Sequence, residues 1–335
     1  NNLFIKPFGE ISGYFFKIYE RLLDFFASIN FLNFNIGCFN TLRYILYYYL
    51  LIQILKKLEK KQFNFICTIL FILTTLFYHK IIFTDNIIFF DVGQGDSIYI
   101  ESDFSGCKAL IDTGGSLYYH PGEKVASYLK SIQTSEIDIL FITHSDVDHA
   151  GDYQYILGEV KVKKLVFSYY DDNELQREIE SYALRNKINI LKVKAYNKVE
   201  CGDLTFFIFN PLKKNNTINE NSLVLFLIFN GDSYLFMGDA DSKSISLHNI
   251  KVIDFLKVSH HGSKYQTNKE FLDSVIIKNA IISVGKNNYH HPSESLLNLL
   301  NENDISIYRT DLNGTITVKY YLRKKRIISF YRPII

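Results

Sequence analysis

The chain has 335 residues, enough for two domains or for one domain and a membrane part. Its 37 basic and 35 acidic residues nearly cancel, so bulk charge gives no argument for nucleic-acid binding. Four cysteines lie scattered without CxxC spacing, a pattern that indicates neither a zinc knuckle nor a disulfide framework. Because the chain begins with Asn1 and its single Met is internal, we expect a fragment whose upstream part is missing.

The first 84 residues are rich in apolar side chains and predict membrane-associated helices. Residues 10–28 carry apolar and charged side chains on opposite faces, which favours a helix in the membrane interface over one packed on a soluble core. Residues 42–55 contain a single charge. Residues 62–79 contain no Lys, Arg, Asp or Glu and match the roughly 20 apolar residues of a spanning helix. The run at 42–55 is shorter, and a re-entrant segment is its alternative.

The lysines between these two apolar runs bear on orientation. Basic residues in short loops tend to remain cytoplasmic, which would apply to Lys56, Lys57, Lys60 and Lys61. The second helix would then exit outward. We therefore expect a multi-pass protein of the cell membrane, with residues 1–84 as its membrane part and an extracytoplasmic domain at 85–335.

After Thr84 the pattern changes to short strand-like runs that alternate with helical ones, which predicts an α/β domain. Strands and helices mix without strict βαβ repetition, so the sequence predicts a layered sandwich. Most of the aromatic excess is assigned to the core and the membrane, and it is not interpreted as a base-stacking surface. The clearest predicted elements are helices at 174–187 and 293–301, a hairpin turning at Gly231-Asp232, and a closing hairpin of 315–321 with 326–331.

The strongest chemical signal is the cluster His144-Ser145-Asp146-Val147-Asp148-His149, which follows a predicted buried strand at 137–143. Four of its side chains are of the types that bind divalent metal ions, and a loop can direct alternate side chains into one cavity. The alternative is a polar loop whose carboxylates cap a helix. Two histidines in the same cluster favour the metal site.

Three further motifs stand where predicted strands end. They are Asp112-Thr113-Gly114-Gly115, Gly238-Asp239-Ala240-Asp241 and Ser259-His260-His261-Gly262-Ser263. Any one of them alone would fit a turn or a helix cap. Because functional residues concentrate on loops that follow strands, we expect these motifs to join the 144–149 cluster in one site.

Together with Asp91-Val92-Gly93-Gln94-Gly95-Asp96-Ser97, these motifs resemble in kind and order those of the metallo-β-lactamase superfamily. More narrowly, the chain is similar to the C-terminal domain of ComEC-type DNA-uptake channel proteins, whose membrane helices precede this domain. The resemblance implies a metallo-β-lactamase αββα sandwich preceded by hydrophobic membrane helices. It also implies a channel that conducts one strand of incoming DNA, with an outer metal-hydrolase domain that degrades the other strand. The implied partners are DNA, single- or double-stranded, the lipid membrane, the upstream remainder of the channel and other competence proteins.

Two departures from the superfamily pattern concern the metal site. Asp146 stands where the usual His-x-His-x-Asp-His cluster has its second histidine. No histidine lies between Gly151 and Phe236, where the superfamily usually has one, and Asn219-Glu220-Asn221-Ser222 stands there instead. One position is therefore richer in oxygen ligands, which favours Mn or Mg over Zn in relative terms. We expect one or two divalent ions, Mn or Zn, with Mg as an alternative.

The expected ligands form two positions. The first consists of His144, Asp146 and Asp239, assisted by Asn221. The second consists of Asp148, His149 and one of His260 or His261, with Asp239 bridging the two. Asp112 is expected to orient a ligand from behind.

Asp148 and His149 are the residues that we expect catalysis to require. Metal ions lower the pKa of water and neutralise charge on phosphate oxygens. His291, or its neighbour His290, is the candidate acid for the departing 3′-oxygen, with a surface turn before a helix as the alternative. Asp96 either reaches the metal pocket or caps the Gly-rich turn.

The sequence thus predicts a membrane-tethered, metal-dependent nuclease of a DNA-uptake channel. One alternative is a non-catalytic domain that supports the channel or guides DNA, having lost a ligand at Asp146. The other is a small-molecule hydrolase that acts on thioesters or lactams. Metal content separates the first alternative from an enzyme, and a panel of substrates separates the second from a nuclease.

Overall fold

The computed structural model describes residues 85–247, 250–321 and 324–329, with a few single residues before them. This part lies within the second of the two units into which the chain divides, Phe77–Ile335. The helices expected at 10–28, 42–55 and 62–79 lie outside these described ranges. Within the part that the structure describes, no helix combines the length and the apolar character needed to cross a membrane.

Two β-sheets form the centre of the domain. Their strands, in chain order, are β1 (Asp85–Phe89), β2 (Ile98–Ser102), β3 (Cys107–Ile111), β4 (Glu136–Ile142), β5 (Lys161–Ser168), β6 (Asn189–Val193), β7 (Lys198–Cys201), β8 (Leu204–Asn210), β9 (Val224–Phe229), β10 (Asp232–Phe236), β11 (Val252–Lys257), β12 (Ile276–Ile282), β13 (Ser306–Arg309), β14 (Ile316–Tyr321) and β15 (Lys324–Ser329). The hairpins predicted at Gly231-Asp232 and at the end of the domain are confirmed as β9–β10 and β14–β15.

The helices lie between these strands along the chain. They are α1 (Pro121–Ser131), α2 (Val147–Ala150), α3 (Tyr153–Glu159), α4 (Glu174–Arg185), α5 (Lys269–Ser274), α6 (Glu294–Glu302) and α7 (Thr310–Asn313), with short 3₁₀ turns at Asn219–Asn221, Ser242–Ser244 and Ser259–Gly262. The predicted helices at 174–187 and 293–301 are confirmed as α4 and α6. Side-chain caps explain where both begin, because Asn173 accepts from the backbone N–H of Gln176 and Ser293 from that of Leu296.

The strand directions bring many strand ends to common edges. Among the described residues, the first sheet has the order β15-β14-β1-β2-β3-β4-β5-β6 and the second has the order β13-β12-β11-β10-β9-β8-β7. Strands β3 to β6 are mutually parallel, and so are β10 to β13. Two antiparallel steps separate β1 from β3 and β8 from β10, so β1 and β8 also end at these edges. Loops that follow these strands can therefore meet.

Three apolar layers hold the sandwich together. Strand β4 contributes to two of them, because Ile139 and Phe141 face the second sheet while Leu140 and Ile142 face the helices. The layer between the sheets is filled from both sides, for example by Phe141 and Phe206, whose ring centroids lie 4.9 Å apart. Helices α1, α3 and α4 cover the first sheet and α5 and α6 cover the second. This arrangement confirms the predicted αββα sandwich.

A disulfide between Cys107 and Cys201 links the two sheets. Cys107 begins β3 in the first sheet, and Cys201 ends β7 in the second. Both side chains are buried in the layer between the sheets, and their Cα atoms are 5.3 Å apart. The expectation that the cysteines indicate no disulfide is therefore wrong. No local spacing reveals this disulfide, because its two cysteines are 94 residues apart in the sequence.

We expect the variant Cys107→Ala/Cys201→Ala to lose about 2–5 kcal/mol of its free energy of unfolding, because the cross-link restricts the unfolded chain. Urea unfolding followed by circular dichroism measures this loss. Adding a reductant should reproduce it in the wild type and have no effect on the double variant. Equal stability of the wild type with and without reductant would contradict the prediction.

Candidate metal centre

Asp146 lies at the start of α2 and does not behave as a helix cap. It occupies the N-cap position of α2, but its side chain makes no capping hydrogen bond. Its Oδ2 atom instead lies 3.7 Å from Nε2 of His144, the buried histidine that follows β4. Burial raises the pKa of Asp146, and the neighbouring carboxylate of Asp148 adds to this rise. The capping alternative therefore does not account for this carboxylate.

Asp239, which follows β10, is the buried centre of the site. Its Oδ1 atom lies 3.2 Å from Nε2 of His149 and 4.0 Å from Nε2 of His261. Its Oδ2 atom lies 3.7 Å from Nε2 of His144 and 3.7 Å from Nε2 of His260. The two oxygens thus face two different pairs of imidazoles, as a carboxylate that bridges two metal positions would.

Among the described residues, candidate ligand atoms gather in three overlapping groups, one of which consists of Asp96, Asp112 and His149. In the other two, the ligand atoms of His144, His149 and Asp239 all lie within 4.8 Å of one another, and so do those of Asp148, His149 and His261. Within the last of these groups, Nε2 of His261 lies 3.2 Å from Oδ2 of Asp148. The sequence left the choice between His260 and His261 open, and the geometry places both at the site, on opposite sides of Asp239.

Several atoms of this cluster are buried without a hydrogen-bond partner in the described part of the chain. They include Nε2 of His144, Nε2 of His149 and Oδ1 of Asp239. Burying polar atoms in this state costs free energy unless something else binds them. A divalent cation accepts electron pairs from nitrogen and oxygen ligands of this kind, so the residues present fit a metal.

The charges of the cluster are strongly coupled. Burial opposes ionisation of Asp239, but the adjacent charges of His149 and His261 outweigh it and lower the carboxyl pKa well below its usual range. Burial likewise opposes protonation of His149, but the carboxylates of Asp239 and Asp112 outweigh it and raise the His149 pKa well above its usual range. In contrast, burial lowers the pKa of His144 to about 3, which leaves that imidazole neutral.

Hydrogen bonds to the outer ring nitrogens orient His149 and His261, the two histidines nearest Oδ1 of Asp239. Nδ1 of His149 lies 2.8 Å from Oδ2 of Asp112, and Nδ1 of His261 lies 2.9 Å from the carbonyl oxygen of Ser283. Asp112 is itself fixed, because it accepts hydrogen bonds from both the N–H and the hydroxyl of Thr143. With Nδ1 donating, the lone pair of each Nε2 faces the centre of the site.

The sequence left two positions open for Asp96, and the structure places it beside Asp112 and His149, with which it forms one of the groups of candidate ligand atoms. It lies behind the histidines, where its Oδ2 atom is 3.8 Å from Nδ1 of His149 and forms an ion pair with Nζ of Lys257. Lys257 ends β11 and is 1 % exposed, so the pair is buried. The ammonium fills the space beside Asp96 with positive charge, which disfavours a metal there. Sequence reasoning missed Lys257, although a single charge in the apolar run before His260-His261 was a detectable signal.

The sequence predicted that Asn221 would assist the first metal position, but the amide that lies next to Asp239 is that of Asn219. The side chain of Asn221 accepts from the N–H of Asn215 and donates to backbone oxygens of Asn215 and Thr217, so it shapes its own loop. Nδ2 of Asn219 lies 3.4 Å from Oδ2 of Asp239. The 3₁₀ turn at Asn219–Asn221 points these two side chains in different directions, which their spacing did not reveal.

The His290-His291 motif reaches the rim of the site. The ring of His291 lies 5.5 Å from that of His260, between centroids. Burial lowers the pKa of His291 to about 4, and the charges of His260 and His261 add to this. Near pH 7 the imidazole is therefore neutral, and the role of proton donor suggested by the sequence is disfavoured.

The glycines of two motifs let their loops approach α2. A Cβ on Gly95, whose φ is +153°, would lie 2.4 Å from the carbonyl oxygen of Asp148. A Cβ on Gly115, whose φ is +155°, would lie 2.0 Å from that of Val147. Neighbouring N–H groups bond to the same segment, since Asp96 donates to the carbonyl of Asp148. The glycines thus fix the position of the loop that carries the candidate ligands of the 144–149 cluster.

The αββα sandwich and the cluster of His and Asp side chains at its strand ends define a class of protein, and comparison with known families identifies the same class. The profile of the metallo-β-lactamase superfamily matches residues 90–286. The chain belongs to the metallo-β-lactamase superfamily.

Within this superfamily, the similarity to ComEC-type competence proteins is confirmed. The chain is 36% identical over 285 residues to ComE operon protein 3 of Bacillus subtilis (strain 168), covering 79% of this chain and 36% of that protein. It is 25% identical over 237 residues to competence protein ComA of Neisseria gonorrhoeae, covering 69% of this chain and 31% of that protein. It is 27% identical over 242 residues to recombination protein 2 of Haemophilus influenzae, covering 69% and 28%. The chain thus spans about a third of the length of these relatives.

We expect metal affinity to rise with pH. A metal must displace the proton from His149, whose pKa the carboxylates of Asp239 and Asp112 raise, so protons compete with the metal as pH falls. Calorimetric titration with Mn²⁺ in buffers of different ionisation enthalpy measures the protons released. Binding that releases no proton would contradict this expectation.

We expect Asp239→Ala to weaken both metal positions and His260→Ala to weaken only the one shared with His144, because the two oxygens of Asp239 face different partners. Metal content by mass spectrometry and the spin coupling of a Mn²⁺ pair by electron paramagnetic resonance report the two positions. Asp273→Ala, an exposed carboxylate on α5, is the matched control. An equal loss of bound metal in Asp239→Ala and His260→Ala would contradict the division into two metal positions.

We expect Asp112→Ala to lower metal affinity by about 10–100-fold, because His149 loses the partner that orients it. Asp112→Asn should retain part of this affinity, since an amide oxygen can still accept from Nδ1. The same calorimetric titration compares the two variants. A wild-type affinity in Asp112→Ala would show that the contact does not orient the ligand.

Proposed function

We propose that the domain is a metal-dependent phosphodiesterase that hydrolyses DNA within a DNA-uptake system. The observation that carries this proposal is the placement of Asp239, whose two carboxylate oxygens face separate groups of imidazoles. Two cations held side by side are suited to phosphate diesters, since they can contact both the attacking and the leaving oxygen.

Seven side chains would hold the metal ions. His144, Asp146 and His260 lie on the Oδ2 side of Asp239, and Asp148, His149 and His261 lie on the Oδ1 side. When bound, divalent ions supply positive charge next to phosphate oxygens and lower the pKa of water. The mixture of three carboxylates and four imidazoles is compatible with Mn²⁺ as well as Zn²⁺.

The residues of the chain supply order and charge balance around that chemistry. The hydrogen bonds to the outer ring nitrogens of His149 and His261 fix both rings, so little reorganisation is needed when substrate arrives. The hydrogen bond with His261 and the charge of His149 keep the pKa of Asp148 low despite burial, so that carboxylate stays ionised. His291, as a neutral imidazole at the rim, is placed to donate a hydrogen bond to a phosphate oxygen.

DNA is proposed as the substrate because of the relatives. Two of them are named for competence or the ComE operon and one for recombination. The cluster of carboxylates and imidazoles suits a phosphodiester when metal ions are bound. Neither the aspartate at position 146 nor the buried ion pair between Asp96 and Lys257 favours thioesters or lactams as substrates. Degradation of the strand that is not taken up is the step that we assign to this domain.

The proposed location is the outer side of the cell membrane, with residues 1–84 as the membrane part. The lysines at 56–61 favour this orientation. The buried disulfide between Cys107 and Cys201 supports it independently, because disulfides persist in oxidising compartments and are rare in the cytosol. The upstream part of a longer chain and other competence proteins are the proposed neighbours.

We expect Asp148→Ala and His149→Ala to reduce DNA hydrolysis to the level seen with chelator, because each removes a ligand of the proposed Oδ1-side position. Release of fluorescent nucleotides from DNA with Mn²⁺, Mg²⁺ or Zn²⁺ measures the activity. Asp273→Ala, far from the site, should retain wild-type rates. No hydrolysis of single- or double-stranded DNA with any of these metals would refute the nuclease, and metal binding without hydrolysis would favour a DNA-guiding domain.

A further inference from the structure

Several large tyrosine side chains are exposed on loops that carry or adjoin the metal ligands. Tyr118 is 92 % exposed, Tyr169 is 56 % exposed, Tyr265 is 68 % exposed and Tyr289 is 73 % exposed. We call these four residues the tyrosine rim. The sequence assigned the aromatic residues to the core and the membrane, and the rim belongs to neither. Exposure of this much aromatic surface on neighbouring loops is a common mark of a binding site.

The topology explains why the rim surrounds the metal ligands. Tyr118 lies in the loop after β3 that begins with Asp112, and Tyr169 directly follows β5. Tyr265 lies beyond the His260-His261 turn after β11, and Tyr289 lies in the loop after β12. Strands β3 and β5 are parallel neighbours of β4, which leads to His144. In the other sheet, β11 is the parallel neighbour of β10, which leads to Asp239, and β12 is the next parallel strand beyond β11. All four loops therefore emerge at the edges where the ligands lie.

Direct contacts connect the rim to the site. The ring of Tyr289 lies 5.8 Å from that of His291, whose ring lies 5.5 Å from that of His260, between centroids. On the other side, Asp171 accepts a hydrogen bond from the hydroxyl of Ser145, which joins the loop after Tyr169 to the loop that carries the 144–149 cluster. A chain bound along the rim would therefore pass the metal ligands.

Exposed lysines alternate with these tyrosines. Nζ of Lys264 lies 4.8 Å from the ring centroid of Tyr265, and Nζ of Lys194 lies 5.6 Å from that of Tyr169. Lys286 is exposed three residues before Tyr289. A surface with alternating aromatic rings and ammonium groups matches a polymer with alternating flat bases and phosphates.

We propose that the tyrosine rim binds an unpaired DNA strand by stacking its bases on the tyrosines, while the lysines contact its phosphates. The inference rests on the proposed function and specifies its substrate as the single strand. In a duplex the faces of the bases are covered by neighbouring base pairs, so the rings have nothing to stack on. In an unpaired strand every base offers a face, so binding is tolerant of sequence.

The test compares DNA binding by the full chain in the presence of chelator, which prevents hydrolysis. The probes are a fluorescent oligothymidylate, an abasic strand of the same length and a duplex of the same length. The variant Tyr118→Ala/Tyr265→Ala/Tyr289→Ala should bind the oligothymidylate about 10-fold or more weakly than the wild type, because each lost stacking contact weakens binding severalfold. Wild type and variant should bind the abasic strand equally, since only the lysine contacts remain.

Two further variants serve as controls for ring stacking and for the position of the tyrosines. Tyr118→Phe/Tyr265→Phe/Tyr289→Phe should bind like the wild type, because a phenyl ring stacks without a hydroxyl. Tyr321→Ala removes a tyrosine that is 54 % exposed at the end of β14, which is antiparallel to β1 and ends at the opposite edge. It should leave binding unchanged.

The outcomes separate this inference from the proposed function. Equal oligothymidylate binding by the wild type and the alanine variant overturns the inference, and it is the result expected if the rim serves a protein partner. Equal wild-type affinity for the oligothymidylate and the abasic strand overturns it as well. Hydrolysis of a small phosphodiester, bis(p-nitrophenyl) phosphate, reports the metal site without a DNA strand. Absence of that activity in the wild type counts against the proposed function, whereas tyrosine-dependent strand binding would still support the rim.

Discussion

The buried carboxylate of Asp239 is the constraint on which the site depends, because it joins loops from both sheets. His144 and His149 reach it from the first sheet, and His260 and His261 reach it from the second. So many titratable groups cannot be buried together without strong mutual charge compensation. The carboxylates of Asp239 and Asp112 raise the pKa of His149, so a proton on this imidazole can provide part of that compensation. A divalent ion can provide it instead, so the electrostatic cost of burying these groups together favours metal binding.

The residues around this cluster hold its side chains in position and balance their charges. Asp112 and the Ser283 carbonyl hold two imidazoles from behind, and Lys257 balances the charge of Asp96 one layer further out. Consecutive left-handed residues, with φ of 49° at His260 and 53° at His261, let adjacent side chains reach opposite oxygens of one carboxylate. Such backbone is unfavourable for non-glycine residues and is tolerated where surrounding structure holds it. The sandwich therefore supports a site that its local sequence would not form alone.

The sandwich class and the motif loops were predictable from the sequence, whereas the order of the strands was not. Dense motifs such as His144-Ser145-Asp146-Val147-Asp148-His149 place several ligands in one loop, so local spacing carries the information. Helices α4 and α6 were predictable for the same reason, since caps and apolar periodicity are local. The pair Cys107–Cys201, the Lys257–Asp96 contact and the rim residues depend instead on which strands become neighbours. Hydrophobic patterns do not encode that order. Strand β5 was not predicted either, because its first half carries exposed lysines and only its second half is continuously buried.

The disulfide also makes the stability of the domain depend on the compartment in which it folds. In a reducing cytosol Cys107 and Cys201 stay unlinked, and the two sheets are held by packing and hydrogen bonds alone. In an oxidising compartment the cross-link forms, and the free energy of unfolding rises accordingly. Under the proposed function, this dependence is protective. A hydrolase of DNA would reach its most persistent form only where the genome of its own cell is out of reach.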